Sequence, residues 1–299
     1  MFEDSSDQPR HAREQGGAYL LPPRLILRLS GADAFRYLNG QITRDLGRMA
    51  PGHSAQACIL TPKGKLCAPL RIWREGDDLM VESDPSLEDS LIARLERYIV
   101  ADDVSVSIVP AQDSIHLFGK FAASEPWASA SGIHSSRVGR PGIDLAEDFP
   151  GLSSIPLLDA RVVETLRIEE VIPVWGSELS EETLPPEAGL DRTHIDYDRG
   201  CYPGQEVMSR LKSIGRVNRL LHLVTASGNI PFTAGQLLVT EEGSTAGSIT
   251  SIAPRLDNEP NMALAYLQRT ATESGVPLFA CDPLTGGKTP LSINQVNGS

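Results

Sequence analysis

The chain has 299 residues and carries 27 Lys and Arg against 39 Asp and Glu, a net charge of −12. With 40% hydrophobic and 22% charged residues it is neither disordered nor fibrous, and its length suits two or three domains. An acidic average excludes wholesale coating of DNA, because non-specific affinity comes from Lys and Arg set against phosphates.

The first 17 residues are polar and lack the apolar run of a secretory signal. Residues 1–19 read as a disordered tail. The apolar stretch 19–29 is interrupted by Pro22, Pro23, Arg24 and Arg28 and is too short to span a bilayer. No membrane partner is expected, and the reading is cytoplasmic. Cys58, Cys67, Cys201 and Cys281 have neither the spacing of a metal cage nor the density of a disulfide scaffold, so reduced thiols and no metal site are expected.

Residues 24–30 alternate Leu25, Leu27 and Leu29 with Arg24 and Arg28, the period of a strand. Ser30-Gly31-Ala32-Asp33 starts a short helix with Phe35 and Leu38 inside it and Gly40 at its end. Strands near 54–60 and 65–73 flank a turn at 61–64, and a short strand follows at 79–82. Leu87, Leu91, Ile92, Leu95 and Tyr98 keep helical spacing, and Val104, Val106 and Ile108 alternate as a closing strand. Residues 20–112 thus form a first α+β domain. A second, 113–219, contains a strand at 115–118 and a helix near 156–169 with Leu158, Val162 and Leu166 four apart. From 220 to 299, short apolar runs broken by Gly, Pro, Asn and Asp predict a small β-barrel or sandwich.

The most unusual stretch is 198–206, Asp-Arg-Gly-Cys-Tyr-Pro-Gly-Gln-Glu. Glycine beside Cys201 and the Pro203-Gly204 pair imply a tight turn that holds the sulfur at a surface. From 199 to 219 five basic residues, Arg199, Arg210, Lys212, Arg216 and Arg219, face one acid, Glu206. That local reversal suits a carboxylate or phosphate. A solvated basic loop with a buried cysteine is the plainer reading.

These residues resemble the YgfZ family, folate-binding proteins related to the aminomethyltransferase (T-protein) of the glycine cleavage system. Residues 199–206 are similar to its K-G-C-Y-x-G-Q-E motif. Gly31-Ala32-Asp33-Ala34, 37–43, 61–65, Leu166-Arg167-Ile168-Glu169 and 186–191 resemble further family segments in order. The resemblance implies a three-domain ring of two α+β domains and a C-terminal barrel. It also implies tetrahydrofolate, or a one-carbon-substituted form, as cofactor, and a role in iron–sulfur cluster assembly or repair. Partners would be iron–sulfur assembly proteins or client radical enzymes that thiomethylate tRNA, with contact to tRNA left open. Cys201 would be the reactive or cluster-contacting thiol, its thiolate favoured by Arg199 and Arg210. Glu169 or Glu187 would hold the pterin. Tyr202, Gly204, Gln205 and Glu206 would follow the motif, and Arg210 and Arg216 would suit the glutamate tail.

Three departures stand out. T-proteins carry an aspartate after the first hairpin, whereas Ala68 and Pro69 stand here, which argues against aminomethyl transfer. Pro69 also places its strand at an edge or bulge. Val171 stands where the family has glycine, and Arg199 replaces lysine. The alternatives are a folate-dependent aminomethyltransferase, and a tRNA- or protein-binding module without folate chemistry. The scattered histidines, among them His116 and His194, read as structural; Asp191, Asp196 and Asp198 read as solvated acids; Cys58 and Cys67 read as paired core thiols on adjacent strands.

Overall fold

The computed structural model describes residues 8–110, 112–152, 155, 157–226, 232–256, 260–281 and 287–294. The chain opens with helix α1 (Gln8–Glu14) and strand β1 (Gly16–Leu20), which corrects the disordered tail over those residues; residues 1–7 of the expected tail lie outside the described residues. The physical reason is local. Gly16 has φ +95°, and a Cβ there would meet the Phe118 carbonyl oxygen at 2.1 Å, so glycine alone lets β1 lie this close to its neighbour.

The first sheet is built from β2 (Leu25–Ser30), β3 (Ala55–Leu60), β4 (Leu66–Glu75), β5 (Asp78–Ser83) and β6 (Ser105–Val109). Its antiparallel order is β3-β4-β5-β2-β6. Helices α2 (Ala34–Gln41) and α3 (Glu88–Glu96) contribute Leu38, Leu91 and Leu95 to its core, against Leu27, Leu29, Ile59 and Ile72. The alternation read from the sequence is therefore the buried face of this sheet.

The second sheet, order β1-β7-β9-β8, combines β1 with β7 (Ser114–Gly119), β8 (Ile133–Ser136) and β9 (Pro141–Ala146). Helix α4 (Ala160–Glu169) packs Val162 and Leu166 against Tyr19 and Phe118 of this lobe. Strands β8 and β9, with β1, escape simple periodicity because a short, Gly- and Ser-rich hairpin gives little alternation to count. The two sheets meet edge to edge: the His134 N–H donates to the Gly52 carbonyl and the Ser54 N–H to the His134 carbonyl, both at 2.8 Å.

Six strands close the C-terminal barrel in the order β10-β13-β12-β11-β14-β15. They are β10 (Arg219–Ala226), β11 (Leu237–Thr240), β12 (Thr245–Ile252), β13 (Asn261–Gln268), β14 (Leu278–Cys281) and β15 (Lys288–Asn294). A short helix, α6 (Arg269–Glu273), follows β13. The barrel is fastened to the rest through Glu178, whose carboxylate accepts from Ser251 Oγ at 2.5 Å and whose carbonyl accepts from Tyr266 OH at 2.9 Å.

Between the second lobe and the barrel the chain returns to the first sheet. Leu179, Ala188, Leu190, Ile195, Tyr202 and Met208 form one core with Cys58, Leu60 and Leu66 of β3 and β4. The 198–206 turn thus rests on the first sheet, although its sequence position falls within the expected 113–219 unit. Cys58 and Cys67 do not pair: Cys58 is buried in this core and Cys67 packs on the other face, against the α2–α3 core. A register shift at Ile59 and Leu60 turns the strand between them. Pro69 is not on an edge strand, since β4 lies between β3 and β5. Pairing with β5 begins only at Arg71, however, so at Pro69 the ladder runs on the β3 side alone.

Candidate functional site

A cavity of about 470 Å³ lies where the two sheets, α4 and the segment 172–194 meet. Strand β4 supplies Pro69, Leu70 and Arg71, and the end of β5 supplies Glu82 and Ser83, with Asp84 following. From the second lobe come Tyr19, Arg137 and Val138; from α4, Val163, Glu164 and Arg167; beyond it, Trp175 and His194. The segment 21–24, which ends in Arg24, completes the wall.

Pro69 and Arg71 are two residues apart on β4 and so share a face; Ser83 Oγ donates to the Pro69 carbonyl at 2.9 Å. Behind them Arg137 bridges the lobes. Its terminal nitrogens donate to the two oxygens of Glu82 at 2.7 and 2.6 Å, and its Nε donates to Asp144 at 2.9 and 3.0 Å. Asp144 also bonds His116 Nδ1 at 2.7 Å. Burial pushes against the Glu82 charge, but the Arg137 charge and hydrogen bonds, with Arg71 and Arg24, hold its carboxyl below the usual range. Burial and the nearby Arg137 push Arg71 down to about 10. His194 is pushed down to about 3 by burial first, then by Arg71 and Arg44.

On the α4 side, Arg167 holds Glu164 by a fork, 2.8 Å from Nε and 2.6 Å from a terminal nitrogen. Its other terminal nitrogen donates to the Ile172 carbonyl at 2.6 Å. The cavity therefore has a carboxylate oriented by an arginine, with the Trp175 indole in the same lining. The two expected pterin carboxylates lie elsewhere. Glu169 points to the other side of α4 and is paired with Arg13 at 2.5 Å. Glu187 binds Arg219 at 3.2 Å and its own turn at Leu184. Neither lines the cavity.

The cysteine turn is a separate feature. Cys201 is exposed, and Gly204, at φ +85°, starts helix α5 (Gln205–Ser213). A Cβ on Gly204 would meet the Thr61 carbonyl at 2.7 Å, which explains the glycine. Tyr202 is buried in the core below, and Gln205 Nε2 donates to the Arg199 carbonyl at 3.3 Å. Arg199 is engaged with backbone carbonyls. Its guanidinium donates to the carbonyls of Asn39, Ile42 and Arg44 at the end of α2, where a cation suits the helix dipole. Glu206, Arg210 and Arg216 are exposed, and Arg216 reaches Glu273 at 3.4 Å. None of these turn or α5 residues lines the cavity. The acids before the turn are engaged too: Asp196 accepts from the Asp45 N–H at 2.9 Å and Asp198 pairs with Arg48 at 3.0 Å. Among the described residues, no three His, Cys, Asp or Glu converge as metal ligands, and no helix is long and apolar enough to cross a membrane.

No family model matches the chain. The iron-sulfur cluster assembly factor IBA57 homolog (mitochondrial) of Phaeosphaeria nodorum is 27% identical over 219 residues, 67% of this chain and 53% of that protein. The chain thus spans about half the length of that relative. The tRNA-modifying protein YgfZ of Shigella sonnei is 25% identical over 243 residues, 72% of this chain and 73% of its own. The glycine cleavage system aminomethyltransferase T of Bartonella henselae has the same fold, with a TM-score of 0.79 over 98% of this chain and 88% of its own, at 18% identity. The chain is thus similar to YgfZ and IBA57 proteins and shares the fold of an aminomethyltransferase.

Within that fold, motif reading found the exposed thiol and missed the inner wall. Arg71, Glu82, Arg137, Asp144 and Glu164 carry no local motif. A sequence signal exists for two of them, a charge set among apolar strand residues: Arg71 between Leu70 and Ile72, and Asp144 between Ile143 and Leu145. Val171 is a further finding: it has φ +53° at the end of α4, a left-handed conformation that glycine adopts without strain.

Proposed function

We propose that this protein is a cytoplasmic, tetrahydrofolate-binding accessory factor for iron–sulfur cluster assembly or repair, and that it supports iron–sulfur enzymes including those that thiomethylate tRNA. The observation that carries the reading is the face of β4 in the cavity. Pro69 stands there beside Arg71, and the carboxylate that one-carbon transfer would use is missing at Ala68 and Pro69. The cavity binds a folate in this reading without handling the proton of an aminomethyl transfer.

The residues fit such a ligand. The volume lies in the range of small-molecule pockets, and Tyr19, Leu70, Val138 and Trp175 offer apolar surface to a flat heterocycle. The Glu164 carboxylate, fixed by Arg167, accepts from the amino and ring N–H groups of a pterin. Cys201 then acts outside the cavity, as the thiol offered to a partner protein or its cluster. Arg210 on α5 and Arg216 after it are exposed and suit an acidic partner surface.

Calorimetric titration with tetrahydrofolate tests the binding half. Wild type is expected to bind, and Glu164→Gln to bind about tenfold or more weakly through loss of a charged acceptor. Absence of binding by wild type removes the reading. For the thiol, Cys201→Ala is expected to bind folate as wild type does and to fail to rescue a strain lacking the equivalent protein; full rescue removes its role.

A further inference from the structure

The charged side chains of the cavity wall are largely satisfied by one another. Arg137 holds Glu82 and Asp144, and Arg167 holds Glu164. Asp84 accepts from the N–H and hydroxyl of Ser86. Arg71 donates to Ser54 Oγ at 3.2 Å and to the Ser136 carbonyl at 3.0 Å. These guanidinium groups thus use their donors within the wall, while Glu164 keeps lone pairs with which to accept.

Two uncharged groups differ. Tyr19, on β1, is 7% exposed and lines the cavity. Its ring packs edge-on against His116 and Phe118, with centroids 5.5 and 6.3 Å away, which fixes where the hydroxyl points. Among the described residues that hydroxyl has no hydrogen-bond partner, yet it is not sealed in the core. The surface it retains opens on the cavity that its residue lines. His194 repeats the arrangement. Thr193 Oγ1 holds its Nδ1 at 2.8 Å, and Nε2, on the far side of the ring, is open and has no partner among the described residues. Burial pushes the Tyr19 phenol up and the His194 imidazole down to about 3, so both are neutral at physiological pH. A largely buried polar group without a partner costs free energy that a ligand can recover.

We propose that Tyr19 and His194 are ligand-contacting residues, whose hydroxyl and Nε2 hydrogen-bond the uncharged polar groups of a bound folate while Glu164 accepts from its N–H groups. The inference rests on the folate reading above and names further contacts for it. Tyr19 stands at the end of the expected tail, and His194 among the histidines expected to be structural, so neither was marked as a site by the sequence.

Calorimetric titration of the full chain with tetrahydrofolate, paired with urea unfolding of each variant, tests this. Tyr19→Phe deletes one oxygen that bonds nothing in the protein. It is expected to weaken binding about three- to tenfold, as loss of a neutral hydrogen bond does, with a urea midpoint no lower than that of wild type. His194→Asn keeps a polar atom at the Nδ1 position for Thr193 and removes Nε2, and a similar loss of affinity is expected. His194→Gln, which restores a polar atom near the Nε2 position, should recover most of it. Wild-type affinity in Tyr19→Phe or in His194→Asn removes that residue from the site. A weaker Tyr19→Phe whose midpoint also falls, or equal losses in His194→Asn and His194→Gln, overturns the contact in favour of a structural role. Should His194→Asn fail to fold, the His194 ring nitrogen shifts of wild type decide, because they move when Nε2 takes up a hydrogen bond; shifts unmoved by tetrahydrofolate remove the contact. Failure of wild type to bind overturns the folate reading, and these contacts with it.

Discussion

Replacing Arg137 by methionine removes the guanidinium that pairs with carboxylates of both lobes behind the cavity. The change preserves most of the apolar stem but deletes the bonds to Glu82 and Asp144. Arg137, Glu82 and Asp144 are 7%, 8% and 11% exposed, so neither carboxylate can recover water in place of the guanidinium. Removing one partner from a buried ion cluster costs about 3–5 kcal/mol. Some of that is offset here, because Arg24 and Arg71 remain near Glu82, and His116 remains on Asp144. A loss of about 3 kcal/mol at pH 8 is therefore expected, read as a lower urea midpoint at unchanged slope. The pH dependence sharpens the test. In wild type both carboxyls are held below their ordinary values of 4.5 and 3.8, so their stabilisation is complete above that range and is lost as pH falls through it. Without Arg137 the buried ions are penalised, so protonation relieves them and the gap to wild type should narrow between pH 8 and pH 5. A variant within about 1 kcal/mol of wild type at pH 8, or a gap that widens toward acid, would refute the reasoning.

Val171→Gly should raise stability by about 0.5–1 kcal/mol, since it relieves a left-handed β-branched residue at the end of α4; a lower urea midpoint would contradict this. Arg199→Ala should lower stability by about 2 kcal/mol, because the carbonyls ending α2 lose a charged donor. Arg199→Lys should keep part of that, and equal midpoints for all three proteins would show the clamp to be idle. His116 and His194 are both pushed below 6.5, His194 to about 3, by burial first. The unfolded chain therefore binds more protons below pH 6.5, and stability should fall with acid by up to about 1.4 kcal/mol per unit for each histidine. Replacing His194 by Asn should flatten that slope in pH-dependent urea unfolding, and an unchanged slope would exclude His194 as its source.

Strands whose buried and exposed residues alternate were legible, which is why β2, β4 and the barrel strands fall where the apolar runs lie. The cysteine turn was legible for a different reason: Pro203 fixes its own φ and Gly204 takes the left-handed φ +85° that other residues avoid, which marks a turn, and the thiol just before it stays at the surface. The cavity was not. Its groups come from β1, β4, β5, the residue after β8, and α4, and they meet only because the chain leaves the first sheet, builds the second and returns. Glu169 illustrates the limit. The Arg-x-Glu run lies on the helix that lines the cavity, yet the helical turn directs Glu169 toward Arg13, while Arg167 and Glu164, three apart, share the inner face. The clash of Pro69 with an interior strand likewise dissolves only when the end of β5 is seen to stop short of it.

The placement of β1 also governs the order in which the molecule can be assembled during synthesis. Strands β2 to β6 are contiguous in the chain, so the first sheet can close as soon as β6 has left the ribosome. Strand β1 emerges before all of them but pairs with β7, Gly16 opposite Gly119, and must wait as an unpaired segment until the first sheet is complete. The second sheet then forms late, around an N-terminal strand held in reserve. The segment 198–208, made later still, docks on a surface already folded. The exposed thiol is thus presented only on a chain whose two sheets, and the cavity between them, have had time to form.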